Sequence, residues 1–254
     1  MSIVSLSLEL NNKPEKAKAK IANSVSLVKT GIEELDYALG GGVEFGSSIL
    51  ITGLPGVGKT SFCERFIYEG LKEGKQSCIY FVFDNPIDKI KKDMMKKFRI
   101  KEEDVEKITF VDCYSWRTGE DSKSCYAVET LSNMNQIIMV LSDVLRDARY
   151  RNKRIVFDSF STFIIYSDQN VFPRFIDEMI GMLKGHNATS MISVEEGIHE
   201  MKIMNFLRFV VDYHFKMEYD YENITLKIDK CLDYERIKKF KIKIKREKII
   251  SGLC

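Results

Sequence analysis

The sequence predicts an α/β fold: a mostly parallel sheet with helices on both faces and a short antiparallel extension at its C-terminal end. Apolar segments of strand length alternate with segments of helical periodicity, which is typical of successive β-α-β units. One apolar strand, Ser48 to Thr52, leads directly into a glycine-rich loop and then a helix. Short alternating segments from Tyr213 onward indicate antiparallel strands.

The composition fits one large α/β domain with a substantial core. The chain has 254 residues, of which 44% are hydrophobic and 30% charged, and its net charge is +2. A balanced charge gives no field that favours nucleic acid or membrane partners. No apolar run reaches the length of a membrane span, and the six cysteines form no C-x-x-C pair. We therefore expect free thiols and a cytoplasmic location.

The chain divides into two predicted regions. Residues 1–23 contain a strand-like alternation over Ser2 to Leu10, followed by a polar, lysine-rich connector. Residues 24–254 form the main domain, which begins with a strand over Ser24 to Val28. A short helix from Thr30 to Leu39 and a run of three glycines come before the apolar strand of the loop.

Helices and strands then alternate along the main domain. Ser77 to Phe83 is almost continuously apolar, as expected of a strand buried on both faces, and Pro86 suits the first turn of the next helix. Further strands are expected at Ile108 to Val111, Arg154 to Phe157 and Thr189 to Val194, and helices at Asn133 to Tyr150 and Phe172 to Leu183. A hairpin is expected to join Tyr213 to Lys216 with Ile224 to Ile228, and the last strand is expected from Phe240 to Lys245.

The glycine-rich loop matches the phosphate-binding pattern G-x-x-x-x-G-K-[ST], and its strand and helix flanks supply the structural context that the pattern requires. Glycines let the backbone bend until its N–H groups surround phosphate oxygens, and the helix adds its positive N-terminal end. The alternative is a glycine-rich turn with an exposed lysine, which does not explain the buried-type strand before it. The predicted site residues are Gly53, Leu54, Pro55, Gly56, Val57, Gly58, Lys59, Thr60 and Ser61.

The polar residues of this loop and one distant carboxylate predict ATP and Mg²⁺ as ligands. Lys59 offers a cation to the outer phosphates, and the Thr60 hydroxyl is a ligand for Mg²⁺. Asp158 follows the apolar strand Arg154 to Phe157, and ligands of open α/β sheets lie beyond the carboxyl ends of the strands. Asp158 is therefore the second candidate metal ligand; the alternative is that it caps the helix that follows.

Several segments together resemble the KaiC branch of the RecA superfamily of P-loop ATPases. They are Thr30-Gly31-Ile32 with Leu35-Asp36, the run Gly40 to Gly42, the loop Gly53 to Thr60, and Asp158-Ser159-Phe160-Ser161. The resemblance extends from about residue 24 to residue 246 and implies a RecA-type ATPase core. It further implies a homo-oligomeric ring, often a hexamer, with ATP between subunits. It also matches Phe206 to Val211, followed by Asp212, to a late strand of the family.

The first departure from the family pattern concerns hydrolysis. The resemblance implies two adjacent glutamates after the second strand, one of which activates the attacking water. Asp84 and Asn85 stand at these positions. Asp84 keeps a carboxylate on a shorter side chain, and Asn85 can orient a water molecule but cannot accept its proton. We therefore expect slow hydrolysis; the alternative for Asp84-Asn85-Pro86 is a capped helix start.

The second departure lies in the last predicted strand. The resemblance implies a lysine and an arginine two residues apart, which reach the γ-phosphate held by the neighbouring subunit. Lys243 and Lys245 have this spacing, with a lysine in place of the arginine, and Arg246 follows, on the opposite face if the strand continues. A lysine provides a point charge instead of a planar fork. The alternative is a solvated edge strand protected by lysines.

These observations leave three candidate functions. The first is a slow, ring-forming Mg-ATPase of the KaiC type. The second is a nucleotide-sensing assembly module that hardly turns over, as in the FlaH proteins of the same superfamily, and Asp84-Asn85 favours it. The third, a RadA-like recombinase, is disfavoured because Glu195, Glu196 and Glu200 follow the strand Thr189 to Val194 and repel phosphates. Nucleic acid is therefore not an expected partner.

Overall fold

The computed structural model describes residues 26–119, 121–220, 223–232 and 241–245; for residues 220, 241 and 243–245 it describes the backbone alone. The predicted strand over Ser2 to Leu10 and the connector after it lie outside these ranges. The division between residues 1–23 and residues 24–254 therefore stays a prediction.

The described strands form one large sheet and one small antiparallel pair. In chain order they are β1 (Leu27–Val28), β2 (Val43–Glu44), β3 (Ser48–Gly53), β4 (Ser77–Val82), β5 (Thr109–Asp112), β6 (Tyr126–Ala127), β7 (Lys153–Asp158), β8 (Ala188–Glu195), β9 (Tyr213–Asp220), β10 (Asn223–Lys230) and β11 (Lys241–Lys245). Strands β1 and β2 pair with each other. The other nine make the large sheet in the order β11-β10-β9-β3-β8-β7-β4-β5-β6.

The large sheet is parallel from β9 to β6 and antiparallel over β10 and β11. Parallel pairing requires crossover connections, and helices provide them here. The predicted fold class, including the antiparallel C-terminal extension, is confirmed. The predicted hairpin is also confirmed, because β9 pairs with β10.

Helices cover both faces of the sheet. They are α1 (Glu33–Ala38), α2 (Lys59–Glu73), α3 (Ile87–Phe98), α4 (Glu102–Val105), α5 (Met134–Asp147), α6 (Phe160–Tyr166), α7 (Phe172–Gly185) and α8 (Met201–Val210), with a 3-10 helix at Ser115–Arg117. Phe66 of α2 and Met94 of α3 are buried in the apolar core of one face. Leu141 of α5 and Ile176 of α7 are buried in the core of the other. No helix of the described ranges is long and apolar enough to cross a membrane.

The register of the parallel strands fixes which residues meet at the edge of the sheet. Gly53, the last residue of β3, lies opposite Glu195, the last residue of β8. Asp158 ends β7 and lies opposite Val82, the last residue of β4. All four strands run in the same direction, so the glycine-rich loop and the residues after β4, β7 and β8 lie at one edge of the sheet.

The predicted late strand from Phe206 to Val211 is wrong. Its residues lie in helix α8 and at the helix end, and the strand begins only at Tyr213. Ile203, Met204 and Leu207 are buried, which is helical spacing, whereas Phe209 is 76% exposed. A short apolar run does not distinguish a strand from the buried face of a helix.

Candidate functional site

The glycine-rich loop has the backbone geometry of an anion-binding loop. Gly56 and Gly58 have φ values of 77° and 105°, which L side chains rarely adopt, and α2 begins immediately after them. A Cβ on Gly53 would lie 2.5 Å from the carbonyl oxygen of Met217 in β9. No described side chain caps the start of α2, and its first turn carries no acidic residue. The first amides of α2 are therefore suited to bind an anion.

Lys59 is buried at the start of α2, and its ammonium is held by three oxygens. Its Nζ lies 2.9 Å from the carbonyl oxygens of both Gly53 and Leu54. The third contact is an ion pair with Oε2 of Glu195 at 2.6 Å. A phosphate oxygen must replace at least one of these partners, because an ammonium has three N–H donors.

Asp158 and Thr60 bring together the oxygens that a magnesium site requires. The Thr60 hydroxyl lies close to the Asp158 carboxylate. Ser193 donates to Oδ1 of Asp158 at 2.5 Å, and Tyr80 donates to Oδ2 at 3.1 Å. Burial raises the pKa of Asp158, and the hydrogen bonds from Ser193 and Tyr80, together with the nearby Thr60 hydroxyl, oppose this rise. Carboxylate and hydroxyl oxygens are hard ligands, so Thr60 and Asp158 fit Mg²⁺.

Neither carboxylate at the strand ends acts as a helix cap. The N-cap residue of α6 is Ser159, and that of α3 is Pro86; no described side chain makes a capping hydrogen bond at either position. The capping alternatives for Asp158 and for Asp84-Asn85 are therefore wrong.

Asp84 lies just beyond β4, near Asp158, and is held from the side of α6. The Thr162 hydroxyl donates to Oδ1 of Asp84, and Arg117 lies 3.6 Å from the same oxygen. The Oδ1 of Asn85 accepts a hydrogen bond from Lys89 at 2.6 Å. Asp84 is thus the carboxylate positioned at the site, whereas Asn85 is engaged on the exposed start of α3.

Lys243 and Lys245 lie on β11, which confirms the predicted last strand. Only the backbone of these two residues is described, and Arg246 lies outside the described ranges. Strand β11 runs parallel to β3, with β10 and β9 between them. Three strand spacings of about 4.8 Å place β11 about 14 Å from the P-loop strand of the same chain.

The sequence did not predict Glu195 as a partner of Lys59. Glu195 follows the apolar residues of β8 just as Asp158 follows those of β7, so the strand-end pattern was present. Its importance depends on the strand order, which inserts β8 between β3 and β7. Thr162 was also missed, because its contact with Asp84 joins residues that are 78 positions apart.

The parallel sheet, its antiparallel extension and the loop at the edge of β3 define a RecA-type P-loop protein. The family model described as "ATPase: KaiC" matches residues 28–250. The chain therefore belongs to the KaiC family of ATPases, and the resemblance found in the sequence is confirmed.

Curated relatives agree with this assignment. A UPF0273 protein of Methanopyrus kandleri is 30% identical over 182 residues, which are 70% of each chain. A UPF0273 protein of Thermotoga maritima is 30% identical over 181 residues, 69% of this chain and 72% of its own. The circadian clock oscillator protein KaiC of Parasynechococcus marenigrum is 27% identical over 174 residues, 67% of this chain but 32% of that longer protein.

Proposed function

We propose that the protein binds Mg-ATP in the loop Gly53 to Thr60 and hydrolyses it slowly as a subunit of a ring. The observation that carries the proposal is the glycine-rich loop with a buried Lys59 at the N-terminus of α2, at the same edge of the sheet as Asp158. This arrangement combines a cation, free helix amides and two hard oxygen ligands at one edge of the sheet. These are the groups that bind and neutralise a triphosphate.

Each group has a distinct role in the proposal. The amides of Gly56 to Thr60 and the Lys59 ammonium bind the phosphates, and Thr60 and Asp158 hold the metal. Bound Mg²⁺ supplies charge neutralisation at the phosphates. Asp84 orients the attacking water and accepts its proton. Fixed donors and charges of this kind lower the barrier by positioning and electrostatics.

Ring assembly is proposed from the family resemblance, and the position of β11 supports it. Lys243 and Lys245 lie on the outermost strand of the antiparallel extension, several strands away from the P-loop of their own subunit. A lysine at this edge of the sheet is better placed to reach a nucleotide on a neighbouring subunit. We propose that these lysines act in trans at the γ-phosphate.

Lys59→Ala tests the assignment of the loop. The variant loses the only side-chain cation that the loop presents, so we expect Mg-ATP to bind on the order of 100-fold more weakly in calorimetric titrations. Lys184→Ala is the matched control, because Lys184 lies near the end of α7 and pairs with Asp212 at 2.8 Å. Unchanged affinity in a folded Lys59→Ala protein would overturn the assignment.

The second candidate is a nucleotide-sensing assembly module with negligible turnover. It is favoured by the hydrogen bond that Asn85 accepts from Lys89 and by an aspartate, with a shorter side chain than glutamate, at position 84. A single-turnover assay with Mg-ATP distinguishes the two candidates. Hydrolysis within one binding event supports the slow ATPase; binding with no phosphate release supports the sensor.

A further inference from the structure

The Glu195 carboxylate accepts one of the three hydrogen bonds of the Lys59 ammonium, and it is the only one of the three partners that belongs to a side chain. The other two partners are carbonyl oxygens of Gly53 and Leu54, which are part of the loop backbone itself. The ion pair is largely shielded from water: the Lys59 side chain is 4% exposed and that of Glu195 is 21% exposed. Shielding strengthens the attraction between the two charges relative to an exposed pair.

The backbone at the end of β8 is fixed against the loop, so only the side chain of Glu195 is free to move. The Glu195 amide donates to the Ser161 hydroxyl at 2.7 Å. The next amide, that of Glu196, donates to the Gly53 carbonyl at 3.0 Å. Side-chain rotation about Cα–Cβ and Cβ–Cγ removes the carboxylate from Lys59 without disturbing either backbone contact.

We propose that Glu195 is a positioning residue that competes with the outer phosphates of a nucleotide for the Lys59 ammonium and thereby limits nucleotide affinity. The inference rests on the proposed function, because it assumes that Lys59 binds phosphate. A carboxylate and a phosphate oxygen at one ammonium repel each other, since both are anionic. The side chain therefore moves away from Lys59 when a phosphate binds. The free energy of the lost ion pair makes the free energy of nucleotide binding less favourable.

The competition has a defined chemical selectivity. It acts on ligands whose phosphates reach Lys59, which are ATP, ADP and inorganic polyphosphates. A nucleoside monophosphate has no outer phosphate and does not displace Glu195. The affinity for a polyphosphate consequently depends on the charge at position 195, whereas the affinity for AMP does not.

Glu195→Gln tests the proposal, because it keeps the shape of the side chain and removes its charge. A charge-assisted hydrogen bond is roughly twice as strong as a neutral one, so we expect Mg-ATP to bind about tenfold more tightly to the variant in calorimetric titrations. Glu196→Gln is the matched control. It removes the same charge from the adjacent residue, whose carboxylate contacts Thr52 and Lys216 instead of Lys59.

Two further probes separate a local effect from a general one. Inorganic tripolyphosphate with Mg²⁺ should gain affinity for Glu195→Gln as ATP does, and AMP should not. An equal increase in ATP affinity in Glu195→Gln and Glu196→Gln would overturn the proposal, because the loss of one negative charge near the site would explain both. Unchanged or weaker ATP binding to a Glu195→Gln protein with the wild-type unfolding midpoint would also overturn it.

The Lys59→Ala variant distinguishes failure of the competition from failure of the proposed nucleotide binding. Wild-type binding that is lost in Lys59→Ala but unchanged in Glu195→Gln leaves the nucleotide site intact and rejects the competition. Absence of Mg-ATP binding in the wild type, Glu195→Gln and Lys59→Ala alike rejects both.

Discussion

At the scale of single residues, Arg154 joins three parts of the domain from a fully buried position. Its guanidinium donates to the carbonyl oxygens of Lys29 at 2.7 Å and Phe66 at 3.1 Å. It also pairs with Glu73 at 2.6 Å and donates to Gln76 at 3.1 Å. Arg154 thereby ties together the entry to the domain, helix α2 and strand β7.

Arg154→Met is expected to destabilise the fold. The substitution leaves two carbonyls and a partly buried carboxylate without their donor, and breaking such a buried pair costs about 3–5 kcal/mol. We expect the free energy of unfolding in urea to fall by about 3 kcal/mol. Arg146→Met is the control, since the exposed pair of Arg146 with Asp143 is worth at most about 1 kcal/mol. Equal losses in the two variants would contradict the role of Arg154.

Residue patterns in the sequence located the loop Gly53 to Thr60 and Asp158, because each belongs to a local strand-end motif. They did not locate Glu195 or Thr162 as parts of the site. The partners of those residues are distant in the sequence, and the order of the strands alone brings them together. Lys59 and its ion-pair partner Glu195 are 136 residues apart in the sequence.

At the scale of elements, helices α2 and α3 meet through a buried carboxylate. Glu64 of α2 is fully buried and accepts a hydrogen bond from Lys97 of α3, which also donates to Ser61 at 3.2 Å. The second oxygen of Glu64, Oε1, has no hydrogen-bond partner in the described residues. Burial raises the pKa of Glu64 to about 7, although the nearby Lys97 charge lowers it.

This raised pKa predicts a pH-dependent stability. The reference pKa of Glu64 is 4.5, so between about pH 4.5 and 7 the folded state retains a proton that the unfolded state has lost. The stability contribution of Glu64 therefore falls as pH rises through that window and is constant above it. As pH rises from 4.5 to 7, the free energy of unfolding of Glu64→Gln should increase by up to about 3 kcal/mol relative to that of the wild type.

Urea unfolding of both proteins at several pH values measures this difference. Glu103→Gln, which changes an exposed glutamate of α4, is the control for charge removal. A constant difference between Glu64→Gln and wild type from pH 4.5 to 7 would contradict the burial argument.

Element types were predictable where periodicity was sustained, as in α5 and α7. The segment from Phe206 to Val211 was wrongly matched to a late strand of the family, and its short apolar run could not correct that match because it also fits the buried face of a helix. The short helix α4 was not predicted, and α6 entered only as the helix that Asp158 would cap in the alternative interpretation.

At the scale of the whole molecule, the strand order creates the site. Strands β3, β8, β7 and β4 are adjacent, so the P-loop, Glu195, Asp158 and Asp84 converge at one edge of the sheet. The sequence predicted the parallel sheet and its antiparallel extension but not this order. Adjacency depends on packing between segments that no local pattern specifies.

The proposed ring predicts that assembly depends on nucleotide. Mg-ATP placed between subunits links them, so we expect light scattering to show a larger particle when Mg-ATP is added. Lys59→Ala should keep the mass that it has without nucleotide. A monomeric wild-type protein both with and without Mg-ATP would contradict a site that is shared between subunits.

The central claim is that the loop Gly53 to Thr60 holds the phosphates of a nucleotide. A crystal structure grown with Mg²⁺ and a non-hydrolysable ATP analogue tests it most directly. We predict phosphate density at the N-terminus of α2, within hydrogen-bonding distance of Lys59, and a metal between Thr60 and Asp158. A triphosphate bound elsewhere on the molecule, with this loop free of phosphate, would contradict the claim.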